Sequence, residues 1–169
     1  MRKLLLLALA GPLLAAGCRY SAAGGLPPEV RTIGVTMLRN NTRYAGLEGE
    51  VTSAVISALQ SNGRLRVVEA RANPDLVLTG SIDGYRLRSV RTDIFGDPVR
   101  LEVEVTAVVT MRKADGQHLF RNVAVSNRAT DLESGSVDLT RGENESLGRS
   151  AAVAELGRNI ARRIVEQGW

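Results

Sequence analysis

The chain has 169 residues, with 22 basic against 18 acidic for a net charge of +4, 44% hydrophobic residues and a mean hydropathy of −0.04. That length suits one domain, and the near-average charge and hydropathy exclude a disordered, collagenous, coiled-coil or multi-span membrane chain. One cysteine and one histidine exclude a disulfide framework and argue against any Cys/His metal cluster.

Met1-Arg2-Lys3 is a short positive segment, and residues 4–14 are apolar apart from Gly11-Pro12. A run of about a dozen apolar residues is too short to span a bilayer, and Ala15-Ala16-Gly17 supplies the small-residue exit of a secretory signal. The sole cysteine, Cys18, follows directly. The arrangement resembles a bacterial lipobox, in which the thiol takes a diacylglyceryl group and becomes the mature N-terminus. Ala15 stands where such motifs usually have Leu, with Leu14 one place earlier. Removing residues 1–17 leaves 20 basic against 18 acidic residues, a net charge of +2, which is weak for a nucleic-acid binder. Arg19, and not Asp, follows the cysteine; under the enterobacterial sorting rule this favours the outer membrane. The expected organisation is a signal peptide over 1–17, a lipidated tether over 18–28 and one periplasmic domain over 29–169. No nucleic-acid partner is expected, and no cofactor beyond the lipid on Cys18.

In the mature chain, residues 19–28 form a Gly/Ala/Pro-rich tether ending in Pro27-Pro28. Ile33, Val35 and Met37 alternate as one face of a strand over 31–38, followed by a polar loop at 39–42. Leu47, Val51, Ala54, Val55, Ala58 and Leu59 recur at helical spacing, with Asn62-Gly63 as the stop. A short strand over 65–69 completes a strand–helix–strand unit, which pairs its strands in parallel. A third strand over 76–87 slips phase beside Gly84, from Leu76, Leu78 and Ile82 to Tyr85 and Leu87, which predicts a bulge. Residues 91–98 read as a turn-rich loop.

The next strand, over 101–111, sets Leu101, Val103, Val105, Ala107, Val109 and Met111 against Glu102, Glu104, Thr106 and Thr110. One face is therefore packed, and the other is solvated or covered by a partner. Asp115-Gly116 predicts a tight hairpin turn into a strand over 117–126. Residues 127–145 read as loop. A last helix over 146–166 is lined by Leu147, Ala151, Ala154, Leu156, Ile160, Ala161 and Ile164, with Arg158, Arg162, Arg163 and Glu166 outside. The order β-α-β-β-β-β-α predicts an α+β two-layer sandwich, a mixed sheet of four to five strands with two helices on one face.

Catalytic groups are not in evidence. His118 lies beside a turn without a second imidazole, and Cys18 is consumed by lipid, so neither a serine nor a cysteine triad can be assembled. Glu102 and Glu104 share a face but read as the solvent side of a strand. Gly24-Gly25 precedes a Pro-Pro pair and opens no phosphate-binding helix. The chain is expected not to be an enzyme.

Several patterns occur together: the lipobox cysteine with Tyr20, Leu26-Pro27-Pro28 before a strand, Asn41-Thr42, and Gly46-Leu47-Glu48 opening a helix. After them come Arg64-Leu65-Arg66-Val67-Val68, Asp75 to Ile82 (DLVLTGSI), Tyr85, the long alternating strand ahead of Asp115-Gly116, and Ala161-Arg162-Arg163-Ile164-Val165. In order and spacing this resembles the LPS-assembly lipoprotein family, LptE. The resemblance implies an outer-membrane lipoprotein facing the periplasm that plugs the LPS-transport β-barrel LptD, assists its assembly and binds lipopolysaccharide on its way to the outer leaflet. It also implies a loop bearing an aromatic and a basic residue near the glycolipid. Phe95 matches the aromatic, while Gly96 stands where some members carry Arg, so Arg91 or Arg100, flanked by Arg88, would supply the charge. Glu102, Glu104 and Thr106 are the candidate partner-facing positions. A second class of function stays open: an accessory subunit of another envelope export or transport complex.

Overall fold

The computed structural model describes residues 26–27, 29–92, 98–130 and 141–166. In chain order these form β1 (Thr32–Val35), β2 (Arg39–Asn40), α1 (Leu47–Asn62), β3 (Arg66–Val68), β4 (Leu76–Thr92), β5 (Pro98–Lys113), β6 (His118–Thr130) and α2 (Arg141–Glu166). The strands make one mixed sheet in the order β3-β1-β4-β5-β6, with β2 alongside β4 beyond the end of β1. β1 and β3 pair in parallel across α1, as the strand–helix–strand unit requires. Both helices pack on one face, giving the expected two-layer α+β sandwich with one strand more than the pattern implies.

The extra strand and the shifted boundaries have local causes. Arg39-Asn40, read as loop, pairs with Ser81-Ile82 for only two residues, too few to leave a periodicity. β4 and β5 continue their ladder beyond the expected ends, through Arg91↔Arg100 to Thr92↔Pro98, so Arg91, Thr92 and Pro98, read as loop, belong to the strands. β6 runs on to Thr130, and α2 begins at Arg141.

The turns match their sequence signals. Gly63, at φ 72°, closes α1 by donating its N–H to the Leu59 carbonyl. Gly116, at φ 86°, turns β5 into β6, and Asp115 Oδ1 accepts the Gln117 N–H at 2.8 Å.

The core lies between the sheet and the helices. Ile33, Leu78, Ile82, Val105, Ala107 and Met111 meet Val51, Val55 and Leu59 of α1 and Leu156, Ile160 and Ile164 of α2. Leu26, expected in the tether, is buried with them. Three expected apolar positions, Met37, Leu147 and Ala151, are exposed and not core. Met37 is 71% exposed because β1 ends at Val35 and the alternation ends with it. Leu147 is 56% exposed because Gly148 takes the contact, its Cβ position lying 3.1 Å from Val103 Cγ2, which turns Leu147 outward.

Two contacts set the geometry of the layers. Asp75 Oδ2 accepts the Arg31 N–H (2.9 Å), the Thr32 N–H (2.8 Å) and the Thr32 hydroxyl (2.7 Å), fastening the start of β4 to the start of β1. These donors, the Arg31 N–H foremost, hold the Asp75 carboxyl below its ordinary value. The helices in turn approach so closely that a Cβ on Gly157 would stand 2.7 Å from the Ala54 carbonyl carbon and oxygen.

Gly157→Ala is expected to lower stability in thermal or urea unfolding. It gains up to about 1 kcal/mol of helix propensity, but overpacking against backbone costs about 1–3 kcal/mol. Gly49→Ala in α1, where a Cβ meets nothing within 4 Å, is expected to gain about 0.5–1 kcal/mol. A rise at Gly157 or a fall at Gly49 would contradict this packing.

Asp75→Ala is expected to cost about 1–2 kcal/mol at neutral pH. A carboxyl depressed in the fold contributes its full stability above the unfolded value, near pH 4, and loses it as pH falls through the folded value. The wild-type advantage over the variant should therefore shrink on acidification below about pH 4, as read by urea titrations across pH.

Candidate functional site

Among the described residues the outer face of the sheet carries no helix, and its residues follow from the registers. β4 begins with Leu76, Leu78 and Ile82 buried, so Arg86 and Arg88 at the same parity would point into the core. They do not, because the β4–β5 ladder passes from Ile82↔Ala107 to Gly84↔Thr106 and leaves Asp83 as an extra residue. The bulge foreseen beside Gly84 reverses the phase. Tyr85 and Leu87 pack beneath the helices, and Arg86 and Arg88 move to the outer face opposite Glu104 and Glu102.

β6 extends the pattern. Glu104 faces Arg128, Glu102 faces Thr130, and Thr106 faces Ser126. Glu104, read as part of a solvent side, is only 8% exposed. Arg128 from one side and Arg86 from the other cover it. Arg128 Nε and Nη2 both lie 3.3 Å from Glu104 Oε1, whereas Arg86 Nη1 stands 3.9 Å from Oε2, which accepts no hydrogen bond. The two arginine side chains remain 57% and 67% exposed, so each keeps donors toward solvent. Farther along the same face, Thr36, Arg39, Thr79, Ser81, Thr110 and Asn122 line a shallow hollow of about 310 Å³ beside exposed Met37.

Of the glycolipid candidates, Arg88 is exposed on this face, and the register sets Arg91 directly opposite Arg100 at the end of the hairpin. Phe95 and Cys18 lie outside the described residues. Arg88 thus shares a surface with Glu102, Glu104 and Thr106, which the sequence reading assigned to a separate role. Arg128 was missed altogether, since its partner is fixed by the β5–β6 register.

The inner face at the same end carries a second polar cluster. The Arg149 guanidinium lies 4.7 Å from the centroid of the Tyr44 ring, touches its hydroxyl and pairs with Glu50 at 3.1 Å. Tyr44 and Tyr85 have centroids 4.6 Å apart, and the Tyr85 hydroxyl donates to Glu145 at 3.0 Å. Burial first, and then Glu145, push the Tyr85 phenol above its ordinary value. The cluster ties α2, α1 and β4 together beneath the arginine face.

His118 is exposed at the start of β6. Among the described residues, no three His, Cys, Asp or Glu side chains gather as metal ligands, and no helix is long and apolar enough to cross a membrane.

A family model described as LptE, Lipopolysaccharide-assembly, matches residues 30–167. No curated protein sequence matches significantly. Among solved structures, a minor lipoprotein from Acinetobacter baumannii superposes with a TM-score of 0.57 at 11% identity, covering 85% of this chain and 99% of its own. An uncharacterized lipoprotein B from Nitrosomonas europaea gives 0.53 at 12% identity, covering 82% of this chain and 83% of its own. The hypothetical protein CT253 from Chlamydia trachomatis gives 0.52 at 11% identity, covering 79% and 97%. These likenesses establish a shared fold.

Proposed function

Because this chain belongs to the LptE family of lipopolysaccharide-assembly proteins, we propose that it binds lipopolysaccharide through the arginine face and the hairpin beyond it, while seated as a plug in the LptD barrel. Its general role is lipopolysaccharide assembly, as a lipoprotein of the cell envelope. The finer reading places it at the outer membrane, held by lipid on Cys18 over the 18–28 tether, with residues 29–169 in the periplasm and a non-catalytic task.

The observation that carries this reading is the run of guanidinium groups along the outer face from Arg128 through Arg86 and Arg88 toward the Arg91↔Arg100 pair. Like charges directly opposite one another weaken a sheet, and a phosphate between them relieves the repulsion. Guanidinium also matches phosphate bidentately, which suits the phosphorylated glycolipid of this family's pathway. The remaining polar positions, Glu102 and Thr106 with Glu104 beneath its arginines, form the surface proposed to face the hydrophilic barrel wall.

Binding of purified lipopolysaccharide to the full mature chain in detergent tests the reading. Charge-assisted hydrogen bonds are worth about 1.5–3 kcal/mol when desolvated and less in a hydrated lumen. Arg91→Asp with Arg100→Asp is therefore expected to weaken binding by about tenfold, with Arg88→Asp and Phe95→Ala each adding a smaller loss. Arg158→Asp, whose partner is Glu155 on the outer side of α2, should leave binding unchanged. Equal losses at Arg158 and the hairpin would remove the hairpin as a site. Depletion of the protein should lower the amount of assembled barrel; unchanged barrel and surface lipopolysaccharide would favour the accessory-subunit reading.

Cys18→Ser should abolish labelling by a fatty-acid probe and leave the precursor uncleaved. Labelling that survives the change would overturn the lipid anchor.

A further inference from the structure

β6 is the last strand of the sheet, and among the described residues no strand pairs with its outer edge over 13 residues. An open edge of that length presents unpaired N–H and C=O groups and is a template for another extended chain. Beside it lies a hollow of about 560 Å³, walled by residues 124–126 of β6 and by Asn159, Arg162, Arg163 and Glu166 of α2. Val125 is buried toward the helices, while Ala124 and Ser126 are exposed.

Two independent features give the edge a sign. β6 contains Arg121 and Arg128 and no acidic residue. From the helix side, Arg162 is exposed, and the Nε of Arg163 is buried without a hydrogen-bond partner, so part of its donor capacity is unspent. Against these cations the hollow sets a single carboxylate, Glu166.

We propose that the outer edge of β6 docks an extended acidic segment of a partner protein, added as a further strand with its acidic side chains against Arg162 and Arg163. Main-chain hydrogen bonds supply the affinity, and the arginines select for acidic residues. A second copy of this chain is the wrong occupant, because pairing β6 with β6 would bring two arginine-bearing, acid-free edges together. Arg128 apart, the cations of this site are not those of the arginine face, and its test, made on Arg162 and Arg163 of α2, is independent of lipopolysaccharide binding.

Hydrogen–deuterium exchange on the full mature chain in detergent provides the test, with a short peptide alternating glutamate and valine as probe and a lysine–valine peptide as control. The glutamate peptide is expected to slow exchange over residues 121–127, and the lysine peptide to leave it unchanged. Arg162→Glu with Arg163→Glu should weaken the glutamate peptide by about tenfold and admit the lysine peptide. Arg162→Glu alone, at an exposed position, should weaken the glutamate peptide and favour the lysine peptide to a smaller extent, without lowering the melting temperature. Equal protection by both peptides, or protection mapping elsewhere, would overturn the proposal. So would amides on β6 that are already protected in the free chain, which would mean that its own residues 131–140 or a second copy occupy the edge.

Discussion

One extra residue in β4 decides what this sheet shows to its surroundings. A strand holds its two faces apart only while the alternation is kept, and 17 residues are long enough for one irregularity to exchange them. Asp83 supplies it. Before it, the even positions Leu76, Leu78 and Ile82 lie in the core; after it, the odd positions Tyr85 and Leu87 do, and the arginines at even positions emerge. Without the bulge, two guanidinium groups would enter the layer beneath the helices, at a large desolvation cost. The same residue therefore preserves the core and creates the basic face.

The inner layer constrains the fold from the other side. With no side chain at Gly157, α2 can press against the backbone of α1 at Ala54, and Gly148 lets it settle over Val103. A helix seated so closely has few ways to slide, and at its N-terminal end Arg149 anchors it through Tyr44 and Glu50. Tyr85, brought inward by the bulge, contributes the aromatic neighbour and the bond to Glu145. The arrangement beneath the arginines thus depends on the phase change that exposes them.

Much of this was legible in the residues. The alternation of β5, the Asn62-Gly63 stop, the Asp115-Gly116 turn and the slip at Gly84 are local signals, each carried by a few neighbouring residues. Long-range pairings leave no such trace. Glu104 meets Arg128 because the β5–β6 ladder shifts register twice, once between Met111 and Arg112 and again at Asn122, at φ 50°, where two residues oppose Thr110. Arg149 and Tyr44 are 105 positions apart in sequence, and no periodicity links them. The alternation correctly placed Glu104 on the outer face, but it could not reveal that two arginine stems would cover it. The proposed anchor and the hairpin's aromatic residue rest on motif and family resemblance, since Cys18 and Phe95 lie outside the described structure.

The burial of Glu104 also says something about how the face handles charge. Three arginines close together on one sheet face would repel one another, and a carboxylate set between Arg128 and Arg86 relieves part of that strain. It does so unevenly. Arg128 brings two nitrogens within 3.3 Å of Oε1, whereas Arg86 stands 3.9 Å from an oxygen that accepts no hydrogen bond. Arg128 is thereby committed to the sheet, while Arg86 keeps most of its donors and two-thirds of its surface in solvent. An exposed pair at that distance contributes less than about 1 kcal/mol, so a phosphate arriving from outside has little to displace. Glu104 then lowers the cost of holding the arginines together without using up Arg86, and it leaves Arg88, nearer the hairpin, exposed, a division that an uncompensated basic patch could not achieve.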